Sequence, residues 1–395
     1  MNRSLRVERL GLTIGALVLW GCSSGAQSEP DAGGVEASSS GADGDVAPDA
    51  GGLANAPPSV DAGAASRDGG SASTPDAGST APVPDAATAT GYDIDITQTS
   101  ASGLSSGGFM AVQFHVAYSS IMRGVAVFAG GPFYCAQGSL TNAEVDCQYP
   151  TTAPAVTPFV DATNQFAAAG TVDPVANLSG QKVYLFGGAD DHTVNPVTMD
   201  ALRSYYEAFV DPSNIQYESR HAGTGHTMPT LDYGVSCDAT ESPYIGNCNY
   251  DGAGAALAHI YGPLAARAAT PGGTILAVSQ SQLLADAASH DLADTGYAYV
   301  PAACARGERC RIHVAFHGCL QEASGSVGGQ FYEHAGYNEW ADANHIIVLY
   351  PQTVTSSGNP NACWDWWGYD SASYATQAGP QMAMVRAMIR LFAGQ

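Results

Sequence analysis

The sequence predicts an α/β domain over residues 92–395, preceded by an N-terminal segment with no core of its own. Three observations carry this reading. From residue 92 onward, short apolar and β-branched runs alternate with helix-like segments, the pattern of an α/β fold. Gly103-Leu104-Ser105-Ser106-Gly107 has the form G-x-S-x-G and falls between a strand-like and a helix-like run. Residues 23–91 are almost entirely Ala, Gly, Ser, Asp, Pro and Thr, too few large apolar groups to offset the entropy of ordering.

Taken in order, the chain of 395 residues opens on a basic start, Arg3, Arg6 and Arg9, with Glu8 among them. Leu10 to Trp20 is apolar but too short to span a bilayer. The run ends in Leu19-Trp20-Gly21-Cys22-Ser23-Ser24, which resembles a bacterial lipoprotein signal with Cys22 as the lipidated residue. Trp20 is bulky for such a site, and an ordinary secretory signal cut nearby is the alternative. Both take the chain out of the cytoplasm: the first to a membrane-anchored lipoprotein, periplasmic or on the cell surface with an outer-membrane lipid anchor, the second to secretion. Residues 1–22 thus read as signal, 23–91 as a disordered tether and 92–395 as one catalytic domain. Within the tether a PDAG-like unit recurs at Pro30, Pro48, Pro75 and Pro84, and a coil of that length spans about 45 Å r.m.s.. The balance is acidic, 37 Asp and Glu against 14 Lys and Arg. That argues against nucleic acid or an anionic membrane surface as partner.

Cys22 set aside, eight cysteines remain, an even number that suggests disulfides in an exported chain. Close spacing suggests the pairs 135–147, 237–248 and 304–310, leaving 319 with 363. No C-x-x-C occurs, and neither a metal nor an organic cofactor is implied.

Within the domain, "YDIDIT" (92–97) reads as a strand leading to the Ser105 turn, and "GGFMAVQFHVAYSS" (107–120) as a helix with Phe109, Val112, Val116 and Ala117 inward. Strands are read at 124–131, 182–191, 215–219, 311–318 and 346–352, and helices at 198–210 and 376–393. Ser105 therefore lies at a strand–turn–helix junction, where the free N–H groups of the helix start favour a developing oxyanion. Ser106 is the rival nucleophile. A serine nucleophile needs an imidazole base and an acid to orient it, and after such a turn these follow in the order acid, then histidine. Asp191, in Gly188-Ala189-Asp190-Asp191-His192-Thr193-Val194, ends a strand; Asp190 is its alternative. His226, in "GTGHTMP" (223–229), lies in a glycine-rich loop after a strand, with His221 and His192 as rivals. His115 and His259 fall inside helices and read as packing or surface residues.

One backbone donor for the oxyanion would be the N–H of Ser106. The second normally comes from an HG loop that precedes the nucleophile, yet His317-Gly318-Cys319 lies some two hundred residues after it. The strand at 346–352 is displaced the same way. The rotated order predicts a circularly permuted α/β-hydrolase, in which packed neighbours are kept and the chain break moves.

Together "SGLSSGGFMA", "GGPFYCAQG", Asp191, "GTGHTMP", "HGCLQ" and "NACWDWWGY", in this order across residues 99–370, resemble the poly(3-hydroxybutyrate) depolymerases with a permuted α/β-hydrolase domain. The resemblance implies Ser105 as nucleophile, Asp191 as acid, His226 as base, and the N–H groups of Ser106 and Cys319 as oxyanion hole. It implies a short-chain polyester or its oligomers as substrate. Trp364, Trp366 and Trp367 are then candidates to line the cleft against an aliphatic ester chain, with core packing as the alternative for each ring. The sequence lacks the separate polymer-adsorbing module and threonine-rich linker of some secreted relatives, which favours amorphous polymer or soluble oligomers. A feruloyl- or acetyl-type polysaccharide esterase on a similar fold is the second reading. A catalytically dead surface binding lipoprotein is the third, and the intact Ser, Asp, His and HG loop argue against it.

Overall fold

The structure is a computed structural model and describes residues 91–395. The signal segment, Cys22 and the tether up to residue 90 lie outside the described residues.

The core is an eight-stranded sheet. In chain order its strands are β1 (Thr99–Leu104), β2 (Met122–Phe128), β3 (Lys182–Gly188) and β4 (Ile215–His221). Three short strands, β5 (Met228–Thr230), β6 (Val235–Ser236) and β7 (Ile245–Asn247), form a small separate sheet. The main sheet is completed by β8 (Thr274–Ser279), β9 (Thr295–Val300), β10 (Arg311–Phe316) and β11 (Ile346–Tyr350). Across the sheet the order is β4-β3-β2-β1-β10-β11-β9-β8. The six strands from β4 to β11 run parallel, and β9 and β8 close the edge antiparallel.

This order explains the rotated motifs. β1 and β10 are sheet neighbours, with Gly103 opposite Phe316, although some two hundred residues of chain separate them. The two ends of the domain also meet: the Tyr92 N–H donates to the Phe392 carbonyl at 3.1 Å, and their rings stack 5.7 Å apart. Adjacent ends are the condition for moving the chain break without changing the packing. The fold is a permuted α/β-hydrolase.

β1 differs from its expected position. Residues 92–97 contribute only a bridge from Ile94 to Cys310. Asp95 then accepts the Thr97 N–H at 3.2 Å and starts a helical turn over Ile96–Gln98. The strand itself is Thr-Ser-Ala-Ser-Gly-Leu, buried at all six positions. Its two serine hydroxyls are satisfied internally, Ser100 Oγ and Ser102 Oγ lying 2.6 and 2.7 Å from the two ring nitrogens of His313. Burial lowers the His313 pKa to about 3, so the ring stays neutral in this network.

The helix Ser106–Ala117 is buried all round, not only on the face expected to point inward. It packs on β1, β2 and β10. The helices Pro196–Glu207 and Pro380–Ala393 and the remaining strands match the expected elements within a few residues. The β8–β9 pair and the helix Thr157–Ala168 are additional to them, and Gly252–Tyr261 is the helix expected around His259. All four disulfides pair as the spacing suggests: Cys135–Cys147, Cys237–Cys248, Cys304–Cys310 and Cys319–Cys363.

Candidate active site

Ser105 sits between β1 and the helix Ser106–Ala117 with φ 57° and ψ −125°. A non-glycine residue there is strained, and surrounding structure must hold it. The hold comes from hydrogen bonds on both sides, Ser105 N–H to the Phe128 carbonyl and Phe109 N–H to the Ser105 carbonyl, each 3.0 Å. It also comes from backbone crowding. A Cβ on Gly103 would overlap the Gly107 carbonyl, and one on Gly107 would overlap the carbonyls of Phe316 and His317. Only glycine lets the turn nest against the end of β10. Of the two serines, Ser106 Oγ is completely buried without a hydrogen-bond partner, while Ser105 is the one projected by the turn into the cleft.

Asp191 and His226 come together from separate loops. Asp191 is buried after β3; its Oδ1 accepts the N–H groups of Thr193 and Val194 at 2.8 and 2.9 Å. Its Oδ2 lies 2.9 Å from His226 Nδ1. Since a carboxylate only accepts, Nδ1 carries the proton and Nε2 is left to accept one. The His226 loop is tied down at several points. The Gly225 N–H donates to the Cys237 carbonyl at 2.9 Å, and the Cys237–Cys248 disulfide closes the same segment. The His226 N–H donates to Thr240 Oγ1 at 3.0 Å. The acid and base loops are joined directly by the Asp190 N–H to the Thr224 carbonyl, 2.9 Å.

The rival residues take other places. Asp190 and His192 are exposed. His221 Nδ1 lies 2.9 Å from Thr224 Oγ1, and its ring packs on Tyr250 and Phe186. His115 is buried against Tyr206, 3.0 Å from its hydroxyl, and burial lowers its pKa to about 4. His259 bonds the Asn214 carbonyl at 2.8 Å.

Ser105, Ser106, His226 and Cys319 all line one cleft of about 550 Å³. Among the described residues, neither the Ser106 nor the Cys319 N–H is taken up by a backbone acceptor. The tryptophans divide. Trp366 and Trp367 line the cleft, the first stacked on Phe109 at 3.9 Å and set edge-on to the second at 5.5 Å. Trp364 does not line it. Its ring is fully buried against Phe316, and its indole N–H donates to the His317 carbonyl at 3.1 Å. The reason is the neighbouring Cys319–Cys363 disulfide, which draws residue 364 under the HG loop. Asp365, next in sequence, accepts the N–H groups of Gly368, Tyr369 and Ser371 at 2.7, 3.0 and 3.1 Å and so folds the aromatic loop. Burial pushes its carboxyl up to about 6, with those N–H groups pulling the other way.

The sequence reading did not single out the cleft mouth. The four exposed large apolar side chains of the described residues are Leu140, Val145, Tyr149 and Leu320, between 41% and 57% exposed. Leu140, Tyr149 and Leu320 line the cleft, and Val145 lies on the same short segment. That segment is held by Cys135–Cys147 and by the Asn195 N–H donating to the Gln148 carbonyl at 2.8 Å. Its apolar residues carry no motif that sets them apart from core residues. Among the described residues, no cluster of three His, Cys, Asp or Glu could hold a metal ion.

No family model matches the chain. Individual relatives do. A poly(3-hydroxybutyrate) depolymerase of Delftia acidovorans is 50% identical over 301 residues, 75% of this chain and 60% of that protein. The chain thus spans less than two thirds of that relative's length. A polyhydroxybutyrate depolymerase of Talaromyces funiculosus is 40% identical over 317 residues, 76% of this chain and 90% of that protein. Two solved structures align with 77% of this chain and 98% of theirs. One is a serine-to-alanine PHB depolymerase variant complexed with an R3HB trimer, at TM-score 0.72 and 38% identity. The other is a PHB depolymerase from Penicillium funiculosum, at TM-score 0.71 and 39% identity. Likeness at this level over nearly the whole length of the smaller relatives means that the chain belongs to the poly(3-hydroxybutyrate) depolymerase family.

Proposed function

We propose that this chain hydrolyses poly(3-hydroxybutyrate), or oligomers of short-chain 3-hydroxyalkanoates, through an acyl-enzyme on Ser105. The observation that carries the proposal is the single cleft that joins Ser105 and the Asp191-oriented His226 to an aromatic wall and an apolar mouth. Ser105 Oγ attacks the ester carbonyl while His226 Nε2 takes its proton. The oxyanion is held by the N–H groups of Ser106 and Cys319, each such donor worth about 10²–10³ in rate. Collapse breaks the ester bond, and the departing alkoxide takes the proton from His226. A water molecule, deprotonated by the same nitrogen, then releases the 3-hydroxyacyl product and restores Ser105.

Trp366, Trp367 and Phe109 offer flat apolar surface to an aliphatic chain. The exposed residues at the mouth supply apolar contact to a polymer beside the cleft, so polymer and soluble oligomers meet the same site. One methylene in such a pocket discriminates by about 1–3 kcal/mol. Hydroxybutyrate oligomers are therefore cut best, hydroxyvalerate less well and hydroxyoctanoate hardly at all.

The test is turnover of 3-hydroxybutyrate oligomers beside a feruloyl ester and a hydroxyoctanoate oligomer. Preferred turnover of either of the last two would replace this reading with that of a different esterase on the same fold. Export, and an anchor at Cys22, belong to the same proposal. The four disulfides support an oxidising compartment. Cys22→Ser should release the protein from the membrane fraction; unchanged association rejects the anchor.

A further inference from the structure

The loop after β10 is held by a side chain that the reaction above does not use. Gln321 is 1% exposed. Its Oε1 accepts the Gly318 N–H at 2.6 Å, and its Nε2 donates to the carbonyls of Pro243 and Tyr244 at 2.9 and 3.1 Å. The amide has only one orientation here, because Gly318 offers a donor and the two carbonyls offer acceptors. One carboxamide thereby joins the HG loop to the segment that follows His226, whose Tyr244 lines the cleft. It also gives two successive N–H groups different fates. That of Gly318 is consumed, and that of Cys319 is left for the cleft.

We propose that Gln321 is a positioning residue of the oxyanion hole: by binding the Gly318 N–H and the 243–244 carbonyls, it fixes the peptide planes that aim the Cys319 N–H at the reacting carbonyl. The inference rests on the assignment of Ser105 and Cys319 given above. Other ties hold the far side of the loop, the Cys319–Cys363 disulfide and the Leu320 N–H donating to the Asn361 carbonyl at 2.7 Å. The loop therefore stays in place without Gln321 while its donor loses alignment. A misplacement of about 1 Å in a catalytic group can cost about 10²-fold.

Gln321→Met removes all three bonds in similar volume; Gln321→Glu keeps the acceptor for Gly318 and loses both donors. Both are assayed on a soluble nitrophenyl ester of 3-hydroxybutyrate and with a trifluoromethyl ketone, whose adduct on the serine carries an oxyanion. In Gln321→Met, kcat should fall about 10- to 100-fold with KM within about threefold, and ketone affinity should fall in proportion. Gln321→Glu should lose at least as much in both, because its second oxygen faces the 243 and 244 carbonyls where a donor stood. Folded variants with kcat and ketone affinity near wild type, or with the loss confined to KM, overturn the proposal. If Gln321→Met does not fold, Gln321→Glu decides alone: a lower kcat with undiminished ketone affinity rejects it. Ser105→Ala on the same ester separates the two levels, since activity retained there rejects the site reading itself.

Discussion

The floor of the cleft and its mouth are built by opposite rules. At the floor, position is set by backbone. Gly103, Gly107 and the end of β10 touch main chain to main chain, Ser105 is held at a strained φ, and Asp191 has both oxygens bonded. At the mouth, Leu140, Val145 and Tyr149, on the segment tied by Cys135–Cys147, and Leu320, beside Cys319–Cys363, stand half in solvent. The floor tolerates no change of shape because the reaction needs alignment within a fraction of an ångström. The mouth needs only apolar area, which is non-directional. On the proposed function, chemistry and substrate contact are thus separable in this fold.

The largest expected effect lies at the floor. Asp191→Asn and His226→Ala should each lower kcat by about 10⁴-fold or more in a folded protein, because the residues act as one unit. Hydrolysis of a soluble 3-hydroxybutyrate ester measures this, and near-wild-type turnover would break the assignment. Next, Gly107→Ala adds a methyl with no chemistry, but against the Phe316 and His317 carbonyls. It should destabilise the domain by about 3 kcal/mol or more, read by denaturant unfolding. An ordinary, well-folded Gly107→Ala variant would show that the turn is not the rigid element described.

At the mouth the effect should depend on substrate. Val145→Asp, at a 57% exposed position outside the cleft lining, should leave kcat/KM on a soluble ester unchanged. Polymer adsorption should fall about tenfold, about 1.4 kcal/mol, less than the full burial of an apolar side chain because Val145 is already partly covered. Equal loss on both substrates would erase the distinction between floor and mouth.

The smallest effect concerns the support behind the aromatic wall. His290 Nδ1 lies 2.9 Å from Asp370, and its carbonyl accepts from Gln381, which in turn accepts the Asp365 N–H. Burial pulls the His290 pKa down, but Asp370 and Asp286 outweigh it and raise it above 6.5. The folded state therefore binds this proton more tightly than the unfolded chain. The added stability is full below pH 6.5 and disappears as pH rises through the folded value. His290→Gln should cost about 1 kcal/mol or less, seen in melts below pH 6.5 and absent well above it.

The legibility of the sequence follows the same division. The floor was readable because backbone constraints leave glycines at fixed offsets, in G-x-S-x-G, in the loop of His226 and at Gly318. The disulfide pairing was readable from spacing. β1 was placed too early because a strand crowded on both faces is made of Thr, Ser, Ala and Gly, which carry no apolar signature. Its serines become legible only once His313, two hundred residues on, is seen between them. Trp364 was grouped with Trp366 and Trp367 because adjacency in sequence hides a disulfide that sends one ring under the HG loop and two into the cleft. The mouth was unreadable, since an exposed Leu or Val looks like a core residue until the fold shows which side faces solvent.

The central claim is that Ser105 carries the acyl group. The direct measurement is rapid quench of the wild-type protein with 3-hydroxybutyrate trimer, followed by peptide mass analysis. The account predicts a 3-hydroxybutyryl adduct on the peptide containing Ser105, formed in a burst and absent from Ser105→Ala. Steady hydrolysis of the trimer by folded Ser105→Ala, or an adduct on any other residue, would contradict it.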